Sequence, residues 1–366
     1  MLVKSASYEK CKYHKSQFDP MEQTLKGTII LGDEFEPVDG YITIENGIIK
    51  NIEECKVSTD TIIAPCFVNA HTHIGDSVIK DPPRMPLAEL VQPPDGLKHR
   101  ILKETSHDDL VCSMKATIHD MIKTGTCVFT DFREGGLAGV LALKEALNNS
   151  KIAAKIFGRP LDKDMEYLGS CDGTGISSTN DLEIDFMKDI VRQTRKKGKK
   201  FAIHAGERDS SDISSAIELE PDLLIHMTHA ADNDIKAISE AGIPVSVCMR
   251  SNLITGSGFP PVKKMLDEGI LVAAGTDNVM LNSVNMFSEM EFLSKTNVFD
   301  DRQVFKLCTL NCAKILGLDK ELGSIKKGKK AKLMILTKES NNMQGIRNPL
   351  SSLVRRARPD DIIGII

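Results

Sequence analysis

The chain has 366 residues, 41% hydrophobic and 27% charged, and a formal net charge of −4 from 47 basic and 51 acidic side chains. That length suits one large domain with a smaller one beside it, and the composition is ordinary for a soluble globular protein. It excludes a polybasic nucleic-acid or membrane surface, and no apolar run reaches membrane-spanning length. Nine cysteines without a Cys-x-x-Cys pair point to reduced thiols and a cytoplasmic setting. The N-terminus, with Lys4, Glu9, Lys10, Lys12 and Lys15, lacks a signal-peptide core. A small-molecule substrate is the expected partner; nucleic acid and membrane are not expected, and homo-oligomerisation stays open.

Residues 1–25 give little signal and read as an arm. From Gly27 onward, short β-branched runs at 28–31, 40–44 and 48–52 read as strands, with Asn46–Gly47 as a hairpin turn. Three strands cannot close a core, so they need a partner segment. A run at 332–336, entered through Gly323–Ser324–Ile325 and Gly328, supplies one. The expected arrangement is a small β-sandwich built from both chain ends, residues 1–64 and 319–366, around a central domain at 65–318.

The centre alternates strand and helix patterns, as parallel α/β folds do. A buried strand at 64–73 runs into His71 and His73, and a proline-rich loop follows at 80–98. A helix at 106–123 is stopped by Gly125. Strands are expected at 127–132, 152–157, within 173–178, and at 201–204, 223–226, 244–247 and 271–274, with a helix at 182–196. Eight strands with helices between most of them predict a (β/α)8 TIM-type barrel, whose chemistry sits at the C-terminal strand ends.

Polar residues fall at those ends. Alternate residues of a strand face the same way, so His71 and His73 look in one direction about 7 Å apart. His204 ends the fifth strand, His226 the sixth, and Asp277 follows the eighth. A lone histidine of this kind is more often a satisfied rim residue, as His14, His99, His107 and His119 are expected to be in the arm, a loop or a helix. The set at separate strand ends is harder to dismiss, because three histidines and a carboxylate with an open position describe a catalytic metal site. Glu207, three residues past His204, is placed to move protons without binding the ion. Its plainer reading is a helix N-terminal acid.

Asn69–Ala70–His71–Thr72–His73, His204–Ala205–Gly206–Glu207, His226–Met227–Thr228–His229, Ser251–Asn252–Leu253 and Gly275–Thr276–Asp277–Asn278 together resemble the amidohydrolase superfamily, in its cytosine deaminase-like and chlorohydrolase-type branch. The resemblance runs from about Gly27 to Leu336. It implies metal ligation by His71, His73, His204 and Asp277, and a catalytic set of Glu207 as proton shuttle, His226 orienting the attacking water, and Asp277. His229 competes with His226, which directly ends the apolar run and is preferred. Two-metal members carry a bridging lysine at the fourth strand, and residues 173–178 have none; Lys155, in the preceding strand, reads as solvated. One divalent metal ion is therefore expected, zinc first and iron as the alternative. The segment 247–252 lacks the His-Asn-Pro of relatives, so their substrates are not carried over.

The expected activity is deamination of a small nitrogen heterocycle, a nucleobase, nucleoside or related compound, with release of ammonia. The alternatives are hydrolysis of a cyclic amide or a halide, and, further off, an inactive barrel scaffold. Candidate substrate-binding residues are Arg159, Arg250, Arg133 and Asn252, with Arg84 of the proline-rich loop near the same mouth. Guanidinium groups around one rim select an anionic substrate. The competing reading pairs Arg133 with Asp131 and Glu134, and Arg159 with Asp162 and Asp164.

Overall fold

The computed structural model describes residues 22–161, 164–296 and 300–366. Most of the expected N-terminal arm, including His14, lies outside them. The strands are β1 (Glu22–Leu31), β2 (Glu36–Glu45), β3 (Ile48–Glu54), β4 (Thr61–Pro65), β5 (Phe67–His73), β6 (Thr126–Arg133), β7 (Ala153–Gly158), β8 (Gly173–Ile176) and β9 (Lys200–Ala205). They continue with β10 (Leu223–His226), β11 (Val245–Val247), β12 (Val272–Ala274), β13 (Asp277–Asn278), β14 (Leu333–Thr337) and β15 (Ile362–Ile365).

The terminal segments do associate, as one mixed six-stranded sheet in the order β15-β14-β4-β1-β2-β3 rather than as a sandwich of two sheets. Asn46 and Gly47 are both left-handed, with φ 52° and 75°, which is the backbone a two-residue hairpin between β2 and β3 requires. Strand alternation explains why a second sheet is not needed. On one face Ile29, Ile42, Ile44, Ile63 and Leu333 bury each other, closed over by Ile325 and Ala331. On the other face Ile30, Ile62, Ala64, Met334 and Leu336 join the core of the central domain. The barrel is the second layer.

The central sheet runs β12-β11-β10-β9-β8-β7-β6-β5-β13, all parallel. β12 and β13 are one strand interrupted at Gly275–Thr276: its first part pairs with β11 and its second with β5. The ring closes there into a TIM-like barrel. The run at 64–73 is two strands rather than one, because the chain changes sheets at Cys66. The Cys66 amide donates to the Lys332 carbonyl, and the next amide, of Phe67, donates to Gly125.

Every residue of β5 and β6 is buried, as strands covered on both sides must be. In β9, Phe201, Ile203 and Ala205 pack into the large core. Ala202 faces the opposite way, into the barrel lumen beside Phe132, Phe157, Leu223, Ile225 and Cys248. The expected helix appears as His107–Lys123, capped by the Ser106 hydroxyl accepting from the Asp109 amide, with Val111, Met114, Ile118 and Met121 buried at helical spacing. The proline-rich stretch is not all loop. It contains the short helices Leu87–Val91 and Leu97–Glu104.

Candidate metal centre and active site

His71 and His73 end β5, and His204 shares the inward parity of Ala202 near the end of β9. His226 should by parity follow Leu224 outward, because Ile225 faces the lumen. The backbone turns left-handed at His226 (φ 72°) and Met227 (φ 53°) instead, and the imidazole enters the site. Asp277 is left-handed as well, φ 59°. Such conformations cost a non-glycine residue roughly 1–3 kcal/mol each and persist where surrounding structure enforces them. Strain is concentrated where chemistry is expected.

The side chains converge. His204 Nε2 lies 3.2 Å from His73 Nε2 and 3.2 Å from His71 Nε2. Asp277 Oδ1 lies 3.2 Å from His71 Nε2 and 3.6 Å from His73 Nε2. Outer partners set the tautomers. His204 Nδ1–H donates to the Ile176 carbonyl at 2.7 Å, and His73 Nδ1–H donates to Phe132 O at 3.1 Å and Glu134 Oε1 at 3.0 Å. The two Nε2 atoms therefore face each other as lone pairs, beside a carboxylate oxygen, with no proton between them. His71 Nδ1, also buried, has no hydrogen-bond partner among the described residues.

A divalent cation fits this donor set. Bonds of about 2.0–2.1 Å to zinc put tetrahedral ligand atoms roughly 3.3 Å apart. Burial and the charge of Lys98 push the His73 imidazole down to about 3, and burial pushes His71 and His204 down too, so all three stay neutral as ligands must. Burial raises Asp277, but His71, His226 and His73 outweigh it and hold the carboxyl well below its usual range. Asp277 has outer partners too: its Oδ2 accepts from Ser251 Oγ at 2.6 Å, and Oδ1 from Asn278 Nδ2 at 3.1 Å.

His73, Lys98, Arg159, Glu207, His226 and Asp277 line an open cleft of about 700 Å³ above this cluster. Glu207 Oε2 is 3.5 Å from His226 Nε2, and burial raises the Glu207 carboxyl above its ordinary value. His229 does not line the cleft; its amide donates to the Gly206 carbonyl.

The proposed substrate contacts separate into two kinds. Only Arg159 reaches the cleft, and its buried Nε has no hydrogen-bond partner among the described residues. Asp162, half of its expected local pairing, lies outside them. Arg133 is buried against Glu134, Nη2 to Oε2 2.5 Å, and Asp131, 3.5 Å, as its competing reading had it. Arg250 also points away. Its Nε donates to the fully buried Glu289 at 2.6 Å and its Nη2 to the Ser283 carbonyl at 2.8 Å, partners more than thirty residues distant that no local acid foretold. Arg84 is exposed and outside the lining. Asn252, fully buried, takes the His226 Nδ1–H on its amide oxygen at 2.8 Å and donates to Thr228 at 2.8 Å. Its side chain is taken up by His226 and Thr228 and does not line the cleft.

Arg250 thus anchors the helix Met249–Thr255, which carries both Ser251 and Asn252. Arg250→Ala is expected to destabilise the fold by about 3 kcal/mol through the stranded Glu289 carboxylate, with the Michaelis constant little changed. Arg159→Ala should leave stability alone and raise that constant for an anionic substrate about thirtyfold or more, the equivalent of 2–5 kcal/mol for one desolvated contact. Urea midpoints and steady-state kinetics on both variants check the pair.

Two site residues went unread in the sequence, Lys98 and Glu134. Glu134 was visible only as a neighbour of Arg133, although charged residues directly after the apolar strand β6 were a usable signal. Lys98 had none, since nothing local marks a loop lysine that folds inward.

The amidohydrolase family model matches residues 62–366. This chain belongs to the amidohydrolase family. It is a hydrolase acting on non-peptide carbon–nitrogen bonds. An uncharacterised protein of Methanocaldococcus jannaschii is 36% identical over 368 residues, covering 93% of this chain and 96% of that one. A 5′-deoxyadenosine deaminase of Methanosarcina barkeri is 28% identical over 385 residues, covering 90% and 87%. In fold, a zinc-complexed atrazine chlorohydrolase of Arthrobacter aurescens superposes with a TM-score of 0.78 over 94% of this chain and 93% of its own, at 16% identity.

Proposed function

We propose that this amidohydrolase is a mononuclear metal-dependent deaminase of a small nitrogen heterocycle, a nucleobase, nucleoside or related compound. The observation that carries the reading is the position of Glu207. It is a half-buried carboxyl with a raised pKa, 3.5 Å from His226, beside the imidazoles of His71, His73 and His204 and the Asp277 carboxylate. The relatedness to a 5′-deoxyadenosine deaminase supports an aminopurine-type ring.

His71, His73, His204 and Asp277 would hold the ion, zinc first and iron as the alternative. Bound there, a divalent ion acts as a Lewis acid that brings the pKa of water to about 7. Glu207 delivers a proton to the ring nitrogen next to the amino-bearing carbon as the water oxygen adds to that carbon. A proton then passes to the departing nitrogen, the carbon–nitrogen bond breaks, and ammonia leaves. His226, its Nδ1–H fixed on Asn252, presents Nε2 to the cleft and orients the water. Asp277, locked by Ser251 and Asn278, accepts the proton that the water loses. Arg159 is the selective element, and the substrate carries a carboxylate or phosphate remote from the amino group. Residues 65–318 serve as the catalytic domain and the two ends as its flanking β domain.

The test is an ammonia-release screen of purines, pyrimidines, pterins and their nucleosides, neutral and anionic, on zinc-loaded protein, with metal analysis alongside. One ion per chain and ammonia from an anionic heterocycle are expected. Two ions per chain, or no ammonia from any ring while metal is bound, would overturn the reading.

A further inference from the structure

The segment between β5 and the helix His107–Lys123 lies over the cleft and contributes Leu87, Ala88, Val91, Gln92, Pro93 and Lys98 to its wall. Besides the Asp81 amide on the Met280 carbonyl, two side chains of residues 80–104 fasten it to the barrel. Gln92 Nε2 donates to Asp181 Oδ1 at 3.3 Å, beyond β8 on the far side of the opening. Lys98, only 3% exposed, donates Nζ to Glu134 Oε1 at 2.7 Å. That same oxygen lies 3.0 Å from His73 Nδ1, while Glu134 Oε2 is held by Arg133. One carboxylate therefore joins the covering segment to an imidazole of the metal centre. Placing a lysine there has a cost, because an ammonium is desolvated to meet a buried carboxylate. Within residues 80–104, Lys98 is the charged residue that is buried, and it meets the partner of His73.

We propose that Lys98 is a positioning residue: through Glu134 it ties docking of the 80–104 segment to the orientation of His73, so that the metal centre is fully formed only when the cleft is covered. The proposal rests on the metal reading above and extends it. Lys98 touches no ion; it holds Glu134 on His73 Nδ1, and Glu134 fixes the ring that presents Nε2. Removal of an outer partner of this kind weakens metal binding about 10- to 100-fold. Linkage makes the effect reciprocal, so a bound ion must also hold the segment down.

The experiment measures zinc affinity by chelator competition, and amide hydrogen exchange of residues 80–104 with and without zinc. In the wild-type chain zinc should slow exchange across the segment. Lys98→Met should bind zinc about 10- to 100-fold more weakly and lose that zinc-dependent protection, and Lys98→Arg should recover part of both. Gln92→Ala, which cuts the other side-chain fastening but leaves Lys98 on Glu134, should weaken zinc binding less than Lys98→Met does. Wild-type zinc affinity in Lys98→Met, or an equal loss in Gln92→Ala, would overturn the link. Should Lys98→Met not fold, the exchange measurement on the wild-type chain decides: no zinc-dependent protection means no coupling. A wild-type chain that binds no zinc at all would instead sink the metal reading.

Discussion

Glu207→Gln is expected to keep its metal and lose turnover by about 10²–10⁴-fold, the usual contribution of a positioned proton-transfer group. The substitution preserves shape and removes only the exchangeable proton. Glu207 belongs to neither group of converging metal-ligand atoms, which consist of His71, His73 and His204, and of His71, His226 and Asp277. Burial raises its carboxyl and the neighbouring His226 lowers it, with the rise prevailing. His204→Ala is the control, since it removes a ligand and should release the metal. Metal content and kcat measured on both variants separate the roles. If Glu207→Gln lost metal as readily as His204→Ala, Glu207 would be a ligand and the proton-transfer assignment would fall.

Gly275→Ala should damage the fold and the metal centre together. A Cβ at this position would lie 2.7 Å from His71 Cβ and N and 2.8 Å from His71 O. Two of those atoms are backbone of β5, so no side-chain rotation relieves the contact. The seam between β12–β13 and β5 must open, and it carries His71 on one side and Asp277 on the other. Overpacking at a rigid backbone contact costs about 1–3 kcal/mol before any loss of hydrogen bonds is counted. A lower urea midpoint for the metal-free protein is expected, together with loss of stoichiometric zinc. A variant with wild-type midpoint and full zinc would show that the barrel seam gives more easily than this geometry allows.

The sequence determined the parts of this protein whose signal is local. Strand alternation, the Asn46–Gly47 turn and the helix stopped before Gly125 depend on neighbours within a few residues, and each is found where its pattern predicts it. The apolar runs that end in His71, His73, His204 and His226 belong with them, because a parallel barrel turns chain position at a strand end into spatial position at one rim. The sequence thus placed these imidazoles at one rim without any knowledge of distances.

Tertiary structure decided what depends on partners far along the chain. Whether a guanidinium meets substrate or a buried acid is settled by packing, and Arg250 found Glu289 while Arg133 found Glu134. Asn252 became a partner of His226 through contact between separate strand ends, 26 residues apart. The second sheet expected of the small domain was unnecessary because the barrel already covers the free face of the first. Lys98 is the extreme case. Its burial follows from a covering segment folding onto Glu134, 36 residues away. Desolvating a lysine is favourable only when a complete set of distant partners is already in place, and no stretch of sequence near it records that they are.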